Sequence, residues 1–242
     1  MSLHFLTPEA STGHPGDLVT LTGAEAKHAA VVRRVRVGER VTLGDGLGVW
    51  LDGEIAAADP AEVSVRVLAR TVQPRPEARI VLVQALAKGD RDELAVQAAC
   101  ELGVDEIVPW QAARSVSRWE GAKAAKGRER WSSIVREAAK QAHRAWVPEV
   151  AGLEGTGDLV RRAGTQRVLV LDPSASARLS AVREDGRDLV LVVGPEGGIA
   201  PEEHERLAAA GAERVLLGDT VLRTSTAGPA ALAVLNVVRG RW

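Results

Sequence analysis

Leu191-Val-Val-Gly194-Pro-Glu196-Gly-Gly198 and Leu217-Gly218-Asp-Thr-Val-Leu222-Arg-Thr-Ser225-Thr-Ala-Gly228 are the stretches that decide the fold. Each follows an apolar, β-branched run and precedes a helical pattern. Each therefore sits at the carboxyl end of a strand, where open α/β sheets bind ligands. Glycines let a backbone approach a ligand closely, so two such loops in one domain can wall a pocket with backbone groups. Pro201 suits the first turn of a helix, and Glu202 and Glu203 complement the dipole there while repelling a phosphate. Taken alone, the first stretch fits a tight strand-to-helix turn as well as a ligand loop. In the second, Thr224, Ser225 or Thr226 is placed to cap the following helix. Arg223 stands just ahead of that helix, where the dipole disfavours a cation; a carboxylate or substrate group facing it would account for it.

Working outward, Ile80-Val-Leu-Val-Gln-Ala-Leu, 106–109, 167–171, 189–193 and 214–217 read as strands, the first apolar enough to be covered on both faces. Helical patterns are expected at 92–102, 123–146 (with Gly127 as a possible break), 175–183, 201–210 and 227–238. Strands alternating with helices predict a parallel α/β sheet. The first seventy residues differ. Asp45-Gly46 is a hairpin signal, Val63-Ser-Val-Arg-Val-Leu68 alternates as a half-buried strand does, and residues 24–35 form the one helical piece, with Thr22 as its N-cap. A small β-barrel is the natural reading. Gln73-Pro-Arg-Pro-Glu77 stiffens the connection, which divides the chain into residues 1–72 and 73–242.

The 242 residues carry a formal net charge of −1, so no global charge selects a partner. Residues 114–144 are locally basic, with Arg114, Arg118, Lys123, Lys126, Arg128, Arg130, Arg136, Lys140 and Arg144 set against Glu120, Glu129 and Glu137. Trp119, Trp131 and Trp146 are interleaved. Such a surface suits nucleic-acid phosphates and unpaired bases, although Trp131 has the helical spacing of a core residue. Lys27, Arg33, Arg34, Arg36 and Arg40 extend the basic character into the small domain. The single Cys100 excludes an internal disulfide. The five histidines have no metal-ligand spacing, and there is no P-loop, G-x-G-x-x-G or G-x-S-x-G. Neither a signal peptide nor a membrane-spanning run is evident, so a cytoplasmic location is expected.

Further motifs accumulate in order: His4-Phe5; Leu-Thr-Gly-x-Glu-x-Lys-His-x-x-x-Val-x-Arg over 21–34; Lys88-Gly-Asp-Arg91; Gln97; Glu101-Leu-Gly-Val104; Pro109; Arg114-Ser; Trp131; Glu137-Ala-x-x-Gln141-x-x-Arg144; Pro148; and the two C-terminal loops. With these the chain resembles, nearly end to end, the RsmE family of small-subunit ribosomal RNA methyltransferases that act on uridine N3, within the SPOUT class. The resemblance implies a PUA-like β-barrel ahead of a C-terminal α/β domain knotted as a trefoil, which the general rarity of knots would not suggest. It implies S-adenosylmethionine as cofactor, 16S ribosomal RNA in the small subunit as substrate, and a homodimer. The cofactor residues it implies are Leu171, Gly194, Pro195, Glu196, Gly197, Gly198, Leu217, Gly218, Leu222, Arg223, Thr224, Ser225, Thr226 and Ala227. RNA contact is expected at His28, Arg33, Arg34, Arg114, Arg118, Lys140 and Arg144, and catalytic roles at Arg144, Arg223 and Glu196. Arg114 is a further candidate cation and Glu137 a further carboxylate. Thr220 and Ser225 stand where many members have Arg and Glu. The rival readings are a SPOUT enzyme acting on ribose 2′-OH or guanine, and a non-catalytic RNA-binding or assembly factor.

Overall fold

Alternating burial along the N-terminal strands builds the first sheet. The computed structural model describes residues 2–242 and divides into two units, residues up to Pro76 with Ala139–Val147, and Glu77–Ala138 with Pro148–Trp242. In the first unit the strands are Leu3–Leu6 (β1), Leu18–Thr22 (β2), Arg40–Gly44 (β3), Val49–Ala58 (β4) and Glu62–Val72 (β5), in the order β1-β3-β4-β5-β2. Inward positions of β4 and β5, among them Leu51, Ile55, Val63 and Val65, meet Phe5, Leu21 and Leu43 in one core. The turn between β3 and β4 forms as its Asp-Gly predicts: Asp45 Oδ1 accepts the N–H groups of Leu47 (2.7 Å) and Val49 (3.0 Å), and Gly46 has φ 76°. The expected helix over 24–35 is shorter. Gly23–Lys27 (α1) gives way to a wider π turn at His28–Arg33, which ends on Arg34 in the left-handed region at φ 54°. Thr22 holds the N-cap position without a side-chain bond.

Ala139–Val147 is fastened to the first unit by polar contacts. Lys140 Nζ pairs with Glu25 at 2.9 Å, Trp146 Nε1 donates to the Gln73 carbonyl at 3.0 Å, and the backbones of Gly46 and Gly48 bond Val147 and Ala145. Gly48 has to be glycine: φ is 104°, and a Cβ would stand 2.7 Å from the Trp146 ring.

The second unit runs Ile80–Ala85 (β6), Arg91–Glu101 (α2), Glu106–Trp110 (β7), Ala122–Gln141 (α3, its last turn counted with the first unit), Glu149–Val150 (β8), Thr156–Ala163 (α4), Arg167–Leu171 (β9), Leu189–Val193 (β10), Pro201–Ala209 (α5), Glu213–Val215 (β11) and Thr224–Val238 (α6). All its strand pairs are parallel, in the order β11-β9-β10-β6-β7-β8. Central strands β6 and β10 are buried at every position, as a sheet covered on both faces requires. Gly127 does not break α3; a Cβ there would lie 2.5 Å from the Trp119 ring, which meets buried Trp131 edge-on. The helix expected at 175–183 is irregular chain with one 3-10 turn at Leu179–Ala181. At the amino ends of the strands Arg79, Asp188, Glu106, Arg162 and Glu154 form a linked ion-pair network.

Candidate functional site

The carboxyl ends of β9, β10 and β11 lie side by side, and the loops leaving them wall a cavity of about 550 Å³. That volume is in the range of small-molecule sites. From β9 come Leu171, Asp172 and Pro173; from β10, Val193, Gly194, Pro195, Glu196, Gly198 and Ile199; from the loop after β11, Leu216, Leu217, Gly218, Thr220, Val221, Leu222 and Arg223. Thr224 and Ala227 of α6, His204 of α5 and Arg91 of α2 complete the wall. Of the residues expected to contact cofactor, all but Gly197, Ser225 and Thr226 line this cavity.

The first loop is tight for steric reasons. A Cβ on Gly194 would stand 2.7 Å from Ile199 Cγ1. Gly197 lies against Arg114 instead of the cavity, its carbonyl accepting from the Arg114 guanidinium at 3.2 Å. The Glu196 carboxylate accepts the Lys88 N–H at 3.0 Å and pairs with Arg91 at 3.1 Å. Burial acts to raise its pKa, but the N–H groups of Glu196 itself and Lys88 and the Arg91 guanidinium outweigh burial and hold it below the usual carboxylate range. A carboxylate so held is a poor proton acceptor.

Thr224, one of the three candidate caps, does more than close a helix end. Its hydroxyl donates to the Gly194 carbonyl at 3.0 Å, joining the two loops, while Arg223 takes the N-cap position with no side-chain cap bond. Arg223 is exposed and carries no ion pair among the described residues, so it is available to an anionic group at the cavity.

Asp172 and His204 carry no motif that singles them out, although Asp172 directly follows a strand end. Asp172 accepts from Arg214 and Ser174 (2.6 and 2.7 Å). Burial acts against its charge, but these donors outweigh it and keep the pKa low. His204 Nε2 is 3.5 Å from Asp172, while its Nδ1 is buried without a partner. Arg91 is visible in Lys88-Gly-Asp-Arg91, but only packing brings it to Glu196.

The remaining expected residues divide between the units. Arg144 lies on Ala139–Val147 of the first unit and is not among the cavity-lining residues. Arg33 and Arg34 are exposed there, with His28 half-buried against Phe5. Arg114 and Arg118 are exposed on the second unit. Lys140, also expected to contact RNA, is 8% exposed and pairs with Glu25. No group of three or more metal-ligating side chains occurs among the described residues.

Known proteins match this geometry. A family model described as RNA methyltransferase domain matches residues 74–236, and one described as RNA methyltransferase PUA domain matches residues 21–68. Ribosomal RNA small subunit methyltransferase E of Mycobacterium tuberculosis is 44% identical over 94% of this chain and 89% of its own; that of Bacillus subtilis is 32% identical over 90% and 89%. The structure of the same enzyme from Neisseria gonorrhoeae, bound to S-adenosyl methionine, superposes with a TM-score of 0.88 at 29% identity, covering 98% of both chains. A methyltransferase from Legionella pneumophila, in complex with bound cofactor SAM, gives 0.87 at 31% identity over 98% of both chains. From its α/β site, and from relatives matched nearly end to end, the chain belongs to the ribosomal RNA small subunit methyltransferase E family.

Proposed function

We propose that this chain transfers a methyl group from S-adenosylmethionine to N3 of a uridine in 16S ribosomal RNA of the small subunit. The carrying observation is the cavity at the carboxyl ends of three adjacent strands, walled by both glycine-bearing loops. Its residues fit that cofactor: the volume suits a nucleoside-bearing ligand, the walls are mostly apolar side chains and loop backbone, and at Gly218 an added Cβ would meet nothing within 4 Å. Leu171, Gly194–Glu196, Gly198, Leu217, Gly218, Leu222–Thr224 and Ala227 are proposed to hold it. When bound, S-adenosylmethionine supplies an electrophilic methyl group.

The chain's task is then to hold uracil with N3 in line and to stabilise the anion left when the N3 proton departs; positioning supplies much of such a rate. Arg223 is proposed to meet O2 or O4, where a fixed cation opposes developing negative charge. Arg144 is proposed to share that role. Glu196 is proposed to orient Arg91 instead of taking the proton. N3 is paired in a duplex, so the target base is unpaired or turned out of the stack. Arg33, Arg34, Arg114 and Arg118 would grip surrounding phosphates. The same reading makes residues 1–72 a PUA-like barrel and 73–242 a trefoil-knotted SPOUT domain acting as a homodimer in the cytoplasm. No helix among the described residues is long and apolar enough to cross a membrane.

The test is a transfer assay with labelled S-adenosylmethionine and unmodified 30S subunits, followed by digestion of the RNA. Label in 3-methyluridine is the expected result. Label in another nucleoside discards the N3 assignment, and no label with cofactor and RNA binding intact discards catalysis. Arg144→Ala should cut turnover more than cofactor binding; equal loss of both sinks its role at the base.

A further inference from the structure

We propose that Gln84 is a positioning residue for the cofactor cavity, setting the distance between its two loops from beneath. The inference rests on reading that cavity as the cofactor site. Gln84 is the one polar side chain in β6 and is completely buried. It lies beside Val193 in the parallel register with β10, one residue before Gly194. Its Nε2 donates to Thr224 Oγ1 at 2.8 Å and to the Ala85 carbonyl at 3.1 Å, and the Thr224 hydroxyl donates onward to the Gly194 carbonyl at 3.0 Å. Thr224 and Gly194 both line the cavity; Gln84 does not. One side chain from the centre of the sheet thus ties the start of α6 to the first residue of the glycine loop.

Stability alone does not explain glutamine here. Its Oε1 is buried with no hydrogen-bond partner, and an orphaned buried acceptor costs about 1–3 kcal/mol. An apolar side chain of similar length would avoid that cost in a strand that is otherwise apolar. The amide cannot relieve it by turning over, because its oxygen would then face the Ala85 carbonyl. What glutamine supplies and methionine does not is a donor to Thr224. With Oγ1 accepting from Gln84, the hydroxyl proton is directed at Gly194. Without it, the hydroxyl has no fixed rotor and the two walls lose their common tie.

The experiment measures S-adenosylmethionine binding by calorimetry on the purified chain, together with kcat at saturating cofactor and the melting temperature. Gln84→Met should weaken binding about tenfold, the loss of roughly 1.4 kcal/mol, while kcat at saturation stays within about threefold, since the loss is of equal binding in ground and transition states. Gln84→Glu should bind better as the pH falls, because only the protonated acid donates to Thr224 and burial favours that form. Thr224→Ser should bind like the wild type and Thr224→Val should bind as weakly as Gln84→Met. The double variant Gln84→Met/Thr224→Val should lose no more than either alone, as residues on one bridge do. Unchanged affinity in Gln84→Met, additive losses in the double variant, or loss only in step with partial unfolding overturns the inference. If Gln84→Met does not fold, the Thr224 pair decides: loss in Val but not Ser sustains the bridge, and equal behaviour overturns it. A wild-type chain that binds no S-adenosylmethionine overturns the cofactor reading itself, and this inference with it.

Discussion

The two loops that wall the cavity are held in opposite ways. The loop after β10 is fixed at four places: the Gly194 carbonyl by Thr224, the Glu196 carboxylate by Lys88 and Arg91, the Gly197 carbonyl by Arg114, and the Ala200 N–H by Glu203. The loop after β11 is tied at its start, where Leu216 exchanges backbone bonds with Ala177 and Leu179, and at its end by Thr224. Between those points Val221 is 82% exposed, and Arg178 and Asp219 make a loose pair at 3.7 Å with both side chains in solvent. One wall is therefore set before a ligand arrives. The other leaves the apolar side chain of Val221 largely in solvent, where a further surface would cover it.

The largest consequence lies at the base of the fixed loop. Glu203 is 5% exposed; Oε1 accepts from Ala113 N–H and the Thr156 hydroxyl, and Oε2 from Ala200 N–H. Glu203→Ala leaves the Thr156 hydroxyl and the Ala200 N–H buried without an acceptor, and we expect a loss of roughly 3 kcal/mol, read as a fall of about 10 °C in Tm. Asp219→Ala in the other loop should move Tm by less than about 1 °C, since an exposed pair contributes little. Equal Tm in the two variants breaks the contrast.

The glycines sharpen it. Gly194→Ala drives a Cβ into Ile199, itself packed in the core, and overpacking of this kind costs about 1–3 kcal/mol. At Gly218 a Cβ meets nothing and no unusual φ is required, so Gly218→Ala should melt within about 0.5 kcal/mol of the wild type. Loss of S-adenosylmethionine affinity in Gly218→Ala, with Tm unchanged, would then report on contact with the ligand alone. A smaller effect tests what covers the loose loop. If a second copy does, Val221→Asp should shift sedimentation toward the monomer while moving the melting of dilute protein by less than about 1 kcal/mol. Sedimentation identical to the wild type excludes that face from any contact between copies.

Both loops are legible in the sequence because glycine, proline and β-branched runs are local signals. The unbroken apolar run from Ile80 lacks the alternation of a half-buried strand and so identifies β6 as covered on both faces, and Pro201 opens α5 where its ring fits. What escapes the sequence is non-local. Arg91 meets Glu196 from 105 positions away, and Gln84 meets Thr224 across 140. Short α4 carries too few apolar residues over Thr156–Ala163 to announce a helix, and the Ala-Ser-Ala-Arg-Leu-Ser-Ala run at 175–181 resembles a helix yet is bound through its backbone to Leu216. The hydroxyl of Thr224 reads as a cap because capping is the local option; tertiary packing gives it a longer-range partner.

The smallest expected effect decides a mechanistic point on the fixed loop. The Arg91 side chain is 44% exposed in its pair with Glu196, so Glu196→Gln should cost well under 1 kcal/mol of stability. Because the folded-state pKa of Glu196 lies below its ordinary value, the pair's contribution is complete above the unfolded carboxylate range and fades only as pH falls through the lower, folded value. Any difference between wild type and Glu196→Gln in cofactor affinity should therefore be flat from about pH 6 to pH 8. A positioning role for Glu196 predicts a fall in kcat of less than about tenfold, with Arg91→Gln giving a similar fall and the double variant no more. General-base catalysis at N3 predicts instead a loss of about 10²–10⁴ in Glu196→Gln alone, with Arg91→Gln far milder. The carboxylate's donors favour the first outcome, since a group already holding the Lys88 N–H and the Arg91 guanidinium, and kept ionised by them, has little tendency to take a proton from the base.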